Sequence, residues 1–225
     1  MVDTQANSEG ASSIKPGGQK STYESAYTEA VAKLSERTVE AIAEKSGSRI
    51  GEKDGITFIT VPFLDDEIDI FFPDISFRYQ RRDDTVPLWL QVLVLHYLLA
   101  ATGVTETGVQ ITFKQLKGGM AYYPVFQKRA ITPLINTFGE HLEDFITFGV
   151  MIGGTRAEHG DYALTFRAFP YVAVTFVIWE GDEDFPPAGN VIFDSSVEQY
   201  LTSDDVAMLC TMLAVMIIKK KFERE

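Results

Sequence analysis

The sequence is poor in cysteine: its 225 residues contain a single one, Cys210. One thiol excludes an internal disulfide framework, and it excludes a zinc finger or an iron–sulfur cluster ligated by cysteines of this chain alone. Such low cysteine use is typical of a reducing compartment, so we predict a cytoplasmic protein. Cys210 lies in an apolar C-terminal stretch, where a buried thiol is generally inert.

Positive charge is also scarce. The 20 Lys and Arg residues face 32 Asp and Glu, which gives a formal net charge of −12. A surface of this sign repels phosphate backbones and anionic lipid headgroups, so neither nucleic acid nor a membrane is an expected partner. The N-terminus lacks the apolar run of a signal peptide, and the most apolar helical stretch, 86–101, is about a turn too short to span a bilayer.

Motifs of common catalytic sites are missing: the sequence has no serine nucleophile elbow, P-loop or GxGxxG. None of the three histidines, His96, His141 and His159, has HExxH or CxxC neighbours. His96 lies in a predicted buried helix, where it is either a core histidine or an axial ligand of a metal-centred macrocycle. His159 lies in a loop near Asp161, which fits a metal ligand, a base or an ordinary loop hydrogen bond.

Apolar and aromatic residues, in contrast, are abundant, at 45% and 12% of the chain. Alternating apolar residues predict mainly antiparallel strands within 56–79, 109–113 and 162–193. The segment 87–101 is apolar nearly all round and predicts a central helix, with Pro87 at its first position. We therefore predict an α+β fold in which a mainly antiparallel sheet packs against several helices.

Residues 1–20 have few large apolar side chains, so we expect a flexible leader before a single domain that covers 21–225. The pattern Ser21–Glu24 predicts a capping box at the start of the first helix. Ser203 is the predicted N-cap of the last helix, and another helix is expected to follow Pro124.

The segment 114–129 is the strongest ligand candidate, because it combines cations, paired glycines and tyrosines within an acidic chain. Cationic side chains and free amides bind anions, while aromatic faces cover an apolar or conjugated body. We expect a cofactor-sized ligand here, bordered by Asp161 and Trp179. The alternative interpretation is a tight turn followed by an amphipathic helix. The predicted ligand-binding residues of the segment are Lys114, Lys117, Gly118, Gly119, Tyr122, Tyr123 and Arg129.

The acidic run 180–184 has two interpretations. Its carboxylates suit a hard cation such as Ca²⁺, although their spacing is not that of a calcium loop. A solvated hairpin tip that blocks pairing at the sheet edge is the plainer interpretation.

Several motifs occur in order between residues 22 and 217. They are Thr112-Phe113-Lys114, Leu116, Gly118-Gly119, Tyr122, Phe126, Arg129, Pro133-Leu134, Phe138-Gly139, Gly153-Gly154, Gly160-Asp161, 179–183, Phe185-Pro186, Phe193-Asp194, Ser196 and 201–205. Together they resemble a domain-of-unknown-function family of anaerobic bacteria and archaea, whose members are often labelled iron–sulfur proteins. Members with that label tend to carry an extra cysteine-rich segment, which this chain lacks. We therefore expect no self-contained iron–sulfur cluster.

The resemblance implies an accessory role in anaerobic one-carbon and corrinoid metabolism. The expected function is non-catalytic binding of a large organic cofactor, a corrinoid or a related tetrapyrrole. Two alternatives stay open: a protein-interaction module that uses its acidic surface, and an enzyme that acts on a small anionic substrate.

Overall fold

The strands of the protein form two antiparallel sheets. A computed structural model describes residues 17–224, with side chains from Thr22 onward. The first sheet is a meander in the order β1-β2-β3-β4, and the second has the order β5-β9-β8-β7-β6. The strands are β1 (Arg49–Lys53), β2 (Ile56–Phe63), β3 (Asp66–Phe71), β4 (Ser76–Tyr79), β5 (Gln110–Thr112), β6 (Gly154–Arg156), β7 (Tyr162–Phe169), β8 (Val172–Trp179) and β9 (Ala188–Asp194).

Helices precede, separate and follow the two sheets. They are α1 (Gly17–Ser35), α2 (Val39–Ser46), α3 (Leu88–Ala100), α4 (Gly119–Phe126), α5 (Thr132–Phe138), α6 (Leu142–Val150) and α7 (Ser203–Phe222). A π-helical turn, Gln127–Ile131, joins α4 to α5, and 3₁₀ turns occupy Phe113–Gln115 and Ser195–Gln199. The predicted α+β class is confirmed, with the antiparallel strands divided between two sheets where one was predicted. None of the described helices is both long and apolar enough to cross a membrane.

The central helix α3 lies in the core that the two sheets share. Phe63 of β2 and Phe169 of β7 have ring centroids 5.4 Å apart, which joins the sheets. Tyr97 of α3 stacks on Phe169 at 4.4 Å, and its hydroxyl donates to the carbonyl of Ser46 at 2.6 Å. The polar end of this fully buried tyrosine is therefore satisfied, as burial requires.

Several predicted boundaries were wrong. The first helix begins at Gly17 rather than at Ser21, while residues 1–16 of the predicted leader lie outside the described part of the chain. Helix α4 begins before Pro124 and contains it. The N-cap of α7 is Thr202 and not Ser203, because the Thr202 hydroxyl accepts from the backbone N–H of Asp205.

Other differences concern short elements. Pro87 is the N-cap residue of α3 and not its first helical residue. The predicted strand 109–113 shortens to β5, because Phe113 turns into a 3₁₀ turn. Strands β1 and β6 had no prediction. Both lie at sheet edges and pair through their backbones, so neither needs a marked apolar alternation.

Candidate functional site

A cleft of about 460 Å³ lies where α1, α3, α4 and α7 meet. Phe126 of α4 and Val92 of α3 form part of its apolar lining, and Met208 and Met212 lie four residues apart on α7. Spacing of four places both methionines on one helix face. Thioether and aromatic groups adapt well to an apolar or conjugated ligand.

His96 and Asp205 form the polar centre of the cleft. Nδ1 of His96 lies 2.6 Å from Oδ1 of Asp205. The second carboxylate oxygen, Oδ2, accepts from the hydroxyl of Thr202 at 2.6 Å and from its backbone N–H at 3.1 Å. Thus the helix cap fixes the carboxylate, and the carboxylate in turn fixes the imidazole. Nε2 of His96 has no hydrogen-bond partner among the described residues.

This pair favours its charged form. The hydrogen bond to Asp205 raises the pKa of His96; burial opposes this effect, while the charges of Asp205 and Glu29 add to it. Burial acts to raise the pKa of Asp205, but the hydrogen bonds and charge of His96, together with the bonds from Thr202, outweigh it and leave that pKa below its ordinary value. The raised pKa of His96 and the lowered pKa of Asp205 both favour the imidazolium–carboxylate form of the pair that lines one wall of the cleft.

Arg129 approaches the cleft from the π-helical turn. Its Nη1 donates to the hydroxyl of Tyr122 at 3.4 Å, and no carboxylate of the described residues lies within ion-pair distance of it. Pro124 lacks the N–H that an interior helical position would donate, so the helix here is already irregular. Turns of π-helix are frequent at functional sites, where they re-aim side chains. Arg129 is thus a cation with free donors at the cleft wall.

The cleft brings together three of the residues predicted from sequence: His96, Tyr122 and Arg129. Lys114 and Tyr123 do not line it. The ammonium group of Lys114 lies 4.2 Å from the centroid of the Tyr123 ring, in a cation–π contact on the surface.

The predicted loop 114–119 is built as a tight turn. The backbone N–H of Lys117 donates to Glu198 at 2.7 Å. Gly118 has a φ of 80°, in the left-handed region that favours glycine, and caps α4. A Cβ on Gly119 would overlap the carbonyl oxygen of Phe113. Gly118 therefore serves the left-handed turn, and Gly119 serves the close approach of the chain to Phe113.

Asp161 and Trp179 lie elsewhere. Asp161 accepts from the backbone N–H of Glu180 at 3.0 Å and lines a second, polar cavity of about 450 Å³ with Glu143 and Arg156. Trp179, at the end of β8, is exposed and lines neither cavity. His159 contacts Gln110, with 3.2 Å between its Nε2 and the side-chain amide nitrogen.

The described residues offer no metal centre made of protein side chains. No group of three or more His, Cys, Asp or Glu side chains in residues 22–224 is placed to hold a metal ion. The acidic run 180–184 lies in the hairpin connection between β8 and β9. The plainer interpretation predicted a hairpin tip at a sheet edge, but both strands are interior to the five-stranded sheet. Cys210 is fully buried in α7, and burial raises the pKa of its thiol well above the ordinary value.

Sequence reasoning missed the role of Asp205 in the cleft. A carboxylate three residues after Thr202 fits a capping box, which the sequence does signal. Its pairing with His96, 109 positions away, has no local signal. The position of Met208 and Met212 in the cleft was also missed, because the apolar residues of a helix are ordinarily predicted to lie in the core.

Residues 38–216 match the sequence profile of a family described as "Domain of unknown function (DUF3786)". The chain belongs to this family. The DUF3786 match includes His96, Arg129 and Asp205, and it begins after α1, which supplies Tyr23 and Ala26 to the cleft. No curated protein and no solved structure matches the chain.

Proposed function

We propose that this DUF3786 protein binds, without converting it, a cofactor-sized organic molecule that carries an acidic group, and that the molecule lies in the His96 cleft. The observation that carries the proposal is the fixed His96–Asp205 pair beside Arg129, which has no carboxylate partner among the described residues, in one largely apolar cleft. Its volume of about 460 Å³ falls within the range of roughly 300–1,000 Å³ found for small-molecule sites.

A corrinoid or a related tetrapyrrole is the specific ligand we propose. An imidazole held by a carboxylate at one nitrogen, with its other nitrogen unpartnered, is the usual arrangement of histidines that ligate metals. An acidic group of the ligand, a propionate of a tetrapyrrole or the nucleotide phosphate of a corrinoid, would meet Arg129, and one edge of the ring would lie against Phe126 and Met208. The macrocycle would supply a metal centre, and this chain would supply binding and orientation.

Binding explains the site better than catalysis of a reaction on a small anionic substrate. A His–Asp pair also orients general bases. The hydrogen bond that the structure describes for His96 is to Asp205 and not to a hydroxyl or thiol group, so no activated nucleophile accompanies it.

The test is an absorbance titration with hydroxocobalamin and with haemin. Arg129→Ala removes one charge-assisted contact, worth about 1.5–3 kcal/mol, so we expect roughly ten- to hundredfold weaker binding. Circular dichroism should stay unchanged, because the Arg129 side chain is exposed. Lys114→Ala is the matched control and should bind normally, since Lys114 does not line the cleft.

The outcomes separate the ligand from its placement. Weakened binding by Lys114→Ala with normal binding by Arg129→Ala would contradict the His96 cleft as the site. If neither probe binds to the wild type, the proposal that the ligand is a corrinoid or a tetrapyrrole is contradicted. Native mass spectrometry of protein purified from its host then tests the broader proposal, and a protein that carries no organic ligand would overturn it.

A further inference from the structure

The solvent-facing side of α4 is basic and apolar, although the whole chain is acidic. Met120 and Val125 are 67% and 37% exposed. Lys114 and Lys117 precede the helix and Lys128 follows Val125, and all three side chains are exposed. No carboxylate in residues 22–224 lies within ion-pair distance of these three ammonium groups. We call these five residues the α4 patch.

The hairpin between β8 and β9 carries the opposite features. The carboxylate of Asp182 accepts from the backbone N–H groups of Asp184 and Phe185 at 2.9 and 2.7 Å, and the N–H of Asp182 donates to the carbonyl of Phe185 at 2.8 Å. This closed turn presents the side chain of Phe185 at 71% exposure beside Glu183 and Asp184. We call Asp182, Glu183, Asp184 and Phe185 the acidic tip.

We propose that the α4 patch binds the acidic tip of a second copy of this chain. Three exposed lysines flank the exposed apolar residues of the patch along the chain, and three acids precede the exposed phenyl ring of the tip, so the two surfaces are complementary in charge and both carry exposed apolar groups. A side chain presented by a closed turn loses little conformational entropy when it binds. The contact joins two different surfaces, so it is head-to-tail.

The net charge of −12 opposes self-association at long range. At physiological ionic strength, however, exposed charges interact only weakly beyond a Debye length of about 8 Å. Ion pairs in direct contact lie within that distance and are screened much less. The association should therefore occur at physiological salt, where the general repulsion is reduced.

The test uses two charge-reversed forms of the full chain in sedimentation velocity. The patch variant carries Lys117→Glu and Lys128→Glu, and the tip variant carries Glu183→Lys and Asp184→Lys. We expect wild type to associate as its concentration rises, and each variant alone to associate roughly tenfold more weakly or worse. An equimolar mixture of the variants should associate again, because the tip of the first meets the patch of the second, both unaltered.

Each other outcome overturns the proposal. If wild type stays monomeric at every concentration, the proposed contact does not form. If wild type associates and neither variant weakens the association, the contact lies on another face of the protein. If the mixture of variants stays monomeric, the contact is not head-to-tail. All four substituted side chains are exposed, and matching thermal unfolding of the variants checks that they fold. None of them lines the His96 cleft, so the result is independent of the proposed ligand.

Discussion

Among single residues, Asp205 has two structural roles. One carboxylate oxygen accepts from Thr202 and caps α7, and the other accepts from His96 of α3. The same side chain therefore starts the C-terminal helix and fixes the imidazole of the cleft. Any ligand that contacts Nε2 of His96 is coupled through Asp205 to the first turn of α7.

The His96–Asp205 pair predicts how stability depends on pH. A raised pKa for His96 means that its stabilising effect is fully present below the unfolded-state pKa of about 6.5 and is lost as pH rises through the folded-state pKa. The lowered pKa of Asp205 means that its contribution is present above about 3.9 and is lost as pH falls through the folded-state pKa. The pair therefore stabilises most between these limits.

We expect His96→Gln to remove the alkaline part of this dependence. The difference in free energy of unfolding between wild type and His96→Gln should be largest near pH 6 and should shrink toward pH 9, as measured by urea denaturation. His141→Gln is the control, and it should leave the dependence of wild type in place. A wild-type minus His96→Gln difference that does not change with pH would show that the pair does not stabilise the fold through its charge.

Among the helices and strands, α7 begins at two neighbouring hydroxyl residues, Thr202 and Ser203, of which only one is the N-cap. Only Thr202 accepts from the N–H of Asp205, at 3.3 Å. Thr202→Ala should lower the free energy of unfolding by about 0.5–2 kcal/mol, as expected for the loss of an N-cap. Ser203→Ala should change it by less than half as much, measured by the same denaturation. Equal losses in the two variants would contradict the cap assignment.

The turn before α4 requires its two neighbouring glycines, Gly118 and Gly119, for different reasons. Gly118→Ala forces a Cβ into the left-handed region and should lower the free energy of unfolding by about 1–2 kcal/mol. Gly119→Ala should lower it more, by about 3 kcal/mol, since its Cβ would overlap backbone that cannot move alone. Thermal unfolding checks the order. A Gly119→Ala variant as stable as wild type would mean that the turn does not need this close approach.

Elements with a strong apolar pattern could be predicted from sequence, and those held by backbone contacts could not. The antiparallel hairpin of β2 and β3 and the buried helix α3 follow from their periodicity. The start of α4 was missed because a proline ordinarily marks the first turn of a helix, whereas Pro124 lies inside α4, next to the π-helical turn. Strand β1 has no apolar alternation to detect.

The residues of the candidate site likewise fall into those that a local sequence pattern predicts and those that only the tertiary structure brings together. Tyr122 and Arg129 were predictable because they belong to one local segment that contrasts with an acidic chain. Asp161 and Trp179 are predicted to border the same ligand, yet they lie away from the cleft. The hydrogen bond between His96 and Asp205 depends on how α3 packs near the start of α7, and no local sequence pattern predicts a contact between two distant helices.

For the whole molecule, the shared core predicts where the backbone is most protected. The interior of α3 is buried on nearly every side, and β8 lies between two strands at the centre of the five-stranded sheet. Opening either element exposes the core that holds both sheets together, so their amides exchange only when the fold as a whole opens. Strand β1 lies at a sheet edge and is mostly exposed, so it opens at lower free energy.

Hydrogen exchange read by mass spectrometry should therefore show the slowest amides in Leu88–Leu99 and Tyr171–Ile178, with Arg49–Lys53 exchanging much faster. The comparison is internal, because all three segments are read in one sample under the same conditions. A substitution that lowers the global free energy of unfolding, such as Gly119→Ala, should speed exchange in both slow segments by the same factor. Fast exchange in either segment of the wild type, or a response confined to one of them, would contradict a single shared core.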